Sequence, residues 1–216
     1  MESIPVAPPR TDVLPEGAAL GSASIEELFA AAGALRHGHF LLRSGRHSDR
    51  YLEKFAVLQY PVLAVEIGRR LAEALIDRDP TLVVGPTTGG ALLSLETARQ
   101  LEATLGRTVR GVFAEPMERG TRGLRRGWPV GPEERVVLVD DILTTGASLA
   151  ETLQAVRVAG AEPLVAAVIV DRSTGPVEIG CPIVSLGRIE IGSWDAADCP
   201  ACKAGDPLVK PGSSPA

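Results

Sequence analysis

The order of apolar and polar residues divides the chain into alternating elements. Ser24-Ile25-Glu26-Glu27 has the form of a capping box. Ile25, Leu28, Phe29 and Ala32 then supply one apolar face, so the spacing predicts a helix over about residues 25–35. Residues 38–51 read as a short apolar strand, a polar basic turn and a second extended segment. Pro61 opens an amphipathic helix to about residue 77, with Leu63, Ile67, Leu71 and Leu75 four residues apart. From residue 82 strand and helix alternate: strand 82–84, helix 90–105, strand 109–113, strand 136–139, helix 147–159, strand 164–170 and a further strand within 183–191. That order predicts an α/β fold, a Rossmann-like parallel sheet with helices on both faces. Ligands bind such sheets at the C-terminal ends of the strands, where glycines and polar residues gather in this sequence.

The most informative strand is Val136-Val137-Leu138-Val139, whose composition suits a strand buried on both faces. It delivers Asp140 and Asp141, then Ile142-Leu143-Thr144-Thr145-Gly146-Ala147-Ser148 at the start of a helix. A glycine and hydroxyls at a helix N-terminus offer N–H and O–H donors to an anion. Two carboxylates repel that anion but suit sugar hydroxyls or a hydrated Mg²⁺. Phosphate on one side and a diol or metal on the other describe a sugar phosphate. A second loop, Gly85-Pro86-Thr87-Thr88-Gly89-Gly90, follows the strand at 82–84 and opens a helix, so its backbone suits a second anion.

These residues resemble the phosphoribosyl-pyrophosphate signature of the type I phosphoribosyltransferases: four apolar residues, two acids, two further residues, then Thr-Thr-Gly. The resemblance implies that Asp140 and Asp141 bind the ribose, that Thr144, Thr145, Gly146, Ala147 and Ser148 wrap the 5′-phosphate, and that Gly85, Thr88, Gly89 and Gly90 hold pyrophosphate. The segment Arg43-Ser44-Gly45-Arg46-His47-Ser48 looks like the hood segment of orotate phosphoribosyltransferases, with Arg43 where some members reach the base and pyrophosphate. Arg172, after the strand at 164–170, falls where that family binds the pyrimidine. The implied reaction joins 5-phosphoribose to orotate in pyrimidine biosynthesis, with Mg²⁺ as cofactor held mainly by the substrate. The alternatives are a phosphoribosyltransferase for another base and a ligand-sensing regulator of the same fold.

Departures from the family pattern concern lysines. Gly89 stands where orotate enzymes often place one. The loop 115–134 lacks the family's lysines and histidine and carries Arg119, Arg122, Arg125 and Arg126 instead, too irregular in pattern for a strand. Arg119 and Arg122 are the catalytic candidates within it. In the family this loop commonly enters the neighbouring subunit's site, which implies a homodimer.

Bulk properties narrow the remaining classes. The 216 residues suffice for one domain with a sizeable core. We expect a disordered lead at 1–20, a single domain at 21–216, and hood segments near 36–60 and 183–210. A net charge of −5 argues against a nucleic-acid surface, and no apolar run approaches a membrane span. The N-terminus lacks the order of a signal peptide, so the expected compartment is the cytoplasm. Three cysteines make no disulfide framework. Cys199-Pro200-Ala201-Cys202, a pair also common in one branch of the orotate enzymes, reads as two cysteines in a surface tail, because a zinc site would need Cys181 and a histidine to converge and a redox pair usually begins a helix near a first strand.

Overall fold

The computed structural model describes residues 18–42 and 44–211. The expected lead at 1–20 falls almost wholly outside these residues, as does Arg43. The chain forms two compact units, one from residues up to Val57 together with 190–216, the other from 58–189.

The second unit carries a six-stranded sheet. Its strands are β3 (Leu82–Pro86), β4 (Arg110–Pro116), β5 (Arg122–Gly123), β6 (Val136–Leu143), β7 (Pro163–Asp171) and β8 (Ile183–Arg188), in the order β5-β4-β3-β6-β7-β8. All neighbours pair in parallel except β4 and β5. From β3 the chain moves outward to β4, then returns to the other side of β3 for β6. That reversal opens a crevice beyond the C-terminal ends of β3 and β6, the place where open α/β sheets bind ligands.

Helices α4 (Pro61–Leu75), α5 (Gly89–Leu105) and α6 (Ala147–Val158) cover the sheet. Leu63, Ile67, Leu71 and Leu75 of α4 are all fully buried, as their spacing predicts. On one face, Leu82, Val84, Leu138, Ala166 and Val168 pack with Leu149, Leu153 and Val156 of α6. The alternate residues Val83, Val137, Val139 and Ala167 point the other way, where α4 and α5 pack on the strands. Each buried leucine contributes about 1.5–3 kcal/mol, so these layers hold the sheet edge rigid where the ligand loops leave it.

One expectation changes here. The loop after β4 is not without strand: Glu115 pairs with Gly123 and Pro116 with Arg122, which forms β5 on the sheet edge. Trp128 then packs edge-on against Phe113 with ring centroids 5.0 Å apart, and Leu124 and Val130 join the core cluster. Trp128 and Leu124 are spaced by glycine and arginine in the sequence, so no period betrays their burial.

The first unit comprises α1 (Ala18–Ser22), α2 (Ile25–Ala31), a hairpin of β1 (Leu35–Leu41) and β2 (His47–Leu52), α3 (Lys54–Leu58) at its end, and α7 (Pro200–Ala204). The predicted capping box is present: Ser24 Oγ accepts from the Glu27 N–H and the Glu27 carboxylate accepts from the Ser24 N–H. The helix stops at Ala31, short of residue 35. Gly33 adopts φ +65°, and the N–H groups of Gly33 and Ala34 close on the carbonyls of Ala30 and Phe29. This is the Schellman ending, and it releases Leu35 into β1.

The C-terminal segment is not a loose tail. Trp194 and His47 exchange backbone hydrogen bonds, Leu41 donates to the Val209 carbonyl, and Val209 donates to that of His39. Arg46 reaches the Ser193 carbonyl at 2.7 Å and Asp195 at 2.9 Å. Cys199 is 1% exposed, which corrects the reading of both cysteines as surface residues.

Candidate active site

The predicted loops after β3 and β6 come together in the second unit. Asp140 and Asp141 continue the buried run of β6 and are themselves 6% and 3% exposed. Each carboxylate is oriented by backbone: Asp140 Oδ1 accepts from the Asp141 N–H at 2.8 Å, and Asp141 Oδ1 from the Ile142 N–H at 2.8 Å. Buried carboxylates fixed this way are held for a ligand at little further ordering cost.

Asp140, Thr144, Thr145, Gly146, Ala147 and Ser148 line one open pocket, with Thr144, Thr145 and Ala147 exposed. Gly146 is the N-cap of α6 at φ +77°, a left-handed conformation that favours glycine. A Cβ there would also meet Val177 Cγ1 at 2.5 Å and Ile179 Cγ2 at 2.9 Å. Lacking a side chain, Gly146 leaves the first-turn N–H groups of α6 to an incoming anion, which the helix dipole also favours. Thr145 Oγ1 accepts from the Ala147 N–H only at 3.4 Å.

The loop 85–90 is compact to the limit of its backbone. A Cβ on Gly85 would stand 2.1 Å from the Gly90 carbonyl oxygen, and one on Gly90 would stand 2.6 Å from Pro86 Cδ. The Thr87–Thr88 peptide is cis. Thr88 is exposed at the start of α5, whereas Gly89 and Gly90 are buried. Gly89 faces Asp141, so the two predicted loops touch.

Arg172 follows β7, and its N–H donates to the Leu143 carbonyl at 2.8 Å, which seats it beside the end of β6. Its neighbour Asp171 is engaged elsewhere, by the Ser173 N–H at 2.7 Å and by Arg188 at 2.9 Å. Burial pushes the Asp171 carboxyl up, but the Ser173 and Arg188 interactions outweigh it and hold it below the usual range.

The loop arginines separate. Arg122 is largely sequestered, its side chain 15% exposed, with Nε 3.2 Å from Glu151 and a guanidinium nitrogen 3.4 Å from the Thr87 carbonyl. It therefore rests against the 85–90 loop. Arg126 forms a two-point pair with Glu115. The Arg119 side chain lies outside the described residues. Glu151 and Arg188 were not singled out from sequence. Arg188 is placed opposite Asp171 by the register of β7 and β8, so only strand pairing reveals it.

A phosphoribosyl transferase domain profile matches residues 58–198. The orotate phosphoribosyltransferase of Pelotomaculum thermopropionicum is 44% identical over 189 residues, covering 88% of this chain and 96% of its own. That of Thermotoga maritima is 41% identical over 189 residues, covering 88% and 97%. Among solved structures, the orotate phosphoribosyltransferase of Aeropyrum pernix superposes with a TM-score of 0.59 at 26% identity, over 76% of this chain and 93% of that one. The Mycobacterium tuberculosis H37Rv enzyme in complex with 5-phospho-alpha-D-ribosyl 1-diphosphate does so with a TM-score of 0.52 at 25% identity, over 64% and 80%. With an acid pair, an anion-ready helix start and a glycine loop meeting at one sheet edge, and with relatives matched over nearly their full length, this chain belongs to the phosphoribosyltransferase family, in its orotate phosphoribosyltransferase branch.

Proposed function

We propose that the chain transfers the 5-phosphoribosyl group from phosphoribosyl pyrophosphate to N1 of orotate, giving orotidine 5′-monophosphate and pyrophosphate in pyrimidine biosynthesis. The observation that carries this reading is the meeting of the β3 and β6 loops, because one ligand bearing phosphates at two ends would span them. In this assignment Asp140 and Asp141 accept hydrogen bonds from the ribose hydroxyls. The N–H groups at the start of α6 and the hydroxyls of Thr144, Thr145 and Ser148 hold the 5′-phosphate. Gly85, Thr88, Gly89 and Gly90 hold the pyrophosphate, and Arg172 takes the pyrimidine.

Orotate brings an already acidic nitrogen, so the protein's task is to position the reactants and stabilise a cationic ribosyl transition state. Asp140 and Asp141 supply negative charge beside that ribose. Arg122, against the Thr87 carbonyl, is the loop arginine best placed to offset charge developing on the leaving pyrophosphate.

The buried acid pair also fits Mg²⁺, a hard cation that takes one or two carboxylates and fills its other positions with water and substrate phosphate. Asp140 and Asp141 are the residues that would hold its hydration shell beside the ribose, and the ion would supply positive charge to the leaving pyrophosphate. We further assign a homodimer. Val62 and Val65 of α4 and Leu92 and Leu95 of α5 are exposed on two helices that pack together, an apolar surface a second subunit would cover. The cytoplasm is the assigned compartment, in keeping with three free cysteines. Among the described residues no helix is long and apolar enough to cross a membrane.

The test is a spectrophotometric assay of orotate consumption with Mg²⁺ and phosphoribosyl pyrophosphate, run beside uracil, hypoxanthine and xanthine. Orotate turnover with the other bases inert is expected. Turnover of a purine alone, or of no base, would overturn the assignment.

A further inference from the structure

The first unit gathers four metal-ligating side chains that the reaction does not use. His39 on β1, His47 at the start of β2, and Cys199 and Cys202 around α7 bring one ligand atom each to a common point, all within 4.8 Å of one another. His39 Nε2 is 2.8 Å from His47 Nδ1 and 3.5 Å from each sulfur, and Cys202 Sγ is 3.2 Å from His47 Nδ1. We propose that these four residues form a structural zinc site that ties the N-terminal hairpin to the C-terminal segment.

The geometry fits the ion. Zinc bonds of about 2.3 Å to sulfur and 2.0–2.1 Å to nitrogen give tetrahedral edges of about 3.5 Å between nitrogen and sulfur and about 3.3 Å between nitrogens. The two distances from His39 to sulfur already match, the Cys202–His47 distance is about 0.3 Å short, and the two rings need part by only about half an ångström. Two thiolates and two imidazoles select a borderline-soft tetrahedral ion over Mg²⁺ or Ca²⁺. All four positions are filled by protein, so the site is closed and structural rather than catalytic.

The tautomer is also set. A carbonyl only accepts, so His39 Nδ1 at 2.9 Å from the Asp206 carbonyl carries the proton. Nε2 is then a bare lone pair facing the other three ligands, the arrangement by which outer hydrogen bonds orient a zinc-bound histidine. A β-bulge between His37 and Phe40 carries His39, and bulges commonly re-aim a side chain toward a site. His39, His47 and Cys199 are buried, whereas Cys202 is an exposed residue whose sulfur turns inward. On binding, each thiol loses its proton to solvent and both imidazoles stay neutral, so the assembled centre carries no net charge.

The benefit lies in the connectivity. Cys199 and Cys202 stand 160 and 163 residues from His39 in sequence. The unit's own core is small, chiefly Leu28, Phe29, Phe40, Leu52 and Val57, and small cores are commonly reinforced by a metal.

The full chain, expressed in zinc-supplemented medium and purified without chelator, should hold one zinc per chain by elemental analysis. If the metal is lost in purification, titration of the reduced protein with zinc alone should restore one. Cobalt in its place should give the intense visible bands of a tetrahedral thiolate centre. Ellman's reagent should then find Cys181 alone reactive until a chelator is added. Cys181→Ser, and the Asp140→Asn/Asp141→Asn pair, should keep the zinc, whereas Cys199→Ser/Cys202→Ser should lose it. Wild-type spectra and thiol protection decide the matter even if that double variant does not fold. No stoichiometric zinc after titration, three thiols reactive in its presence, or a Cys199–Cys202 disulfide that zinc does not prevent would each overturn the proposal.

Discussion

Asp141 Oδ2 lies 1.9 Å from the point a Cβ on residue 89 would occupy, so the acid and the glycine cannot both keep their places if residue 89 gains a side chain. The carboxylate fills the space, and the β3 loop is left to act through its backbone.

Gly89→Ala should therefore damage the active site more than the fold. Overpacking of this kind costs about 1–3 kcal/mol, and here it falls on the placement of Asp141. Turnover should drop at least about tenfold while the melting temperature moves by only a few degrees. Steady-state kinetics beside a thermal melt check this, and unchanged kinetics would refute the contact.

Asp140→Asn with Asp141→Asn should abolish turnover in a folded protein. Each lost hydrogen bond to a charged group is worth about 1.5–3 kcal/mol. Both backbone N–H groups keep an acceptor in asparagine, so circular dichroism and melting should stay near wild type. Near-normal turnover would remove the pair from the mechanism.

Arg172→Ala should weaken orotate and spare phosphoribosyl pyrophosphate. A purely structural arginine paired to Asp171 is the competing role, but Asp171 is already held by Arg188 and the Ser173 N–H. Loss of a charge-assisted contact to the base should raise the orotate dissociation constant about tenfold or more. Equal effects on both ligands, or none, would show that Arg172 does not read the base.

The acid limb of stability should depend on Glu66. This buried carboxylate of α4 accepts from Arg69 at 2.7 and 2.8 Å and from Arg70 at 2.7 Å. Hydrogen bonding from Arg69 outweighs burial, with Arg70 adding to it, and holds the carboxyl below its usual range. A carboxyl whose folded pKa is depressed contributes stability that is present above its unfolded value of about 4.3 and is lost as pH falls through the folded pKa. Glu66→Gln should lower the urea midpoint at pH 7 and flatten its decline below about pH 4.5. A parallel decline in wild type and variant would assign the acid limb to other groups.

The β6 strand, its acid pair and the glycine turn were legible because their residues are contiguous and local physics dictates a strand, a turn and a helix start. The α4 face was legible for the same reason: four leucine and isoleucine positions repeat on one helical stripe. The His39–Cys202 cluster was not. A Cys-x-x-Cys pair shows half a site, and its histidines become partners only through backbone bonds such as those joining His47 to Trp194. The β5 strand escaped notice because two residues carry no period. Glu151 carries no local signal, and only the fold sets Arg122 beside it.

The first unit is built from two segments that flank the second in sequence, and that fixes an order of synthesis. The hairpin leaves the ribosome before the second unit, yet the residues that close its edge, Trp194 and Val209, follow that unit. Between those moments the entire second unit emerges as one contiguous stretch and is free to fold, since domains generally form as units during synthesis. The nascent hairpin meanwhile presents unpaired backbone groups, the kind of edge that invites pairing with another chain. A chain cut between residues 189 and 194 thus lacks both Trp194 and Val209, the backbone partners of the hairpin, and aggregation of such truncated chains should begin at β1 and β2.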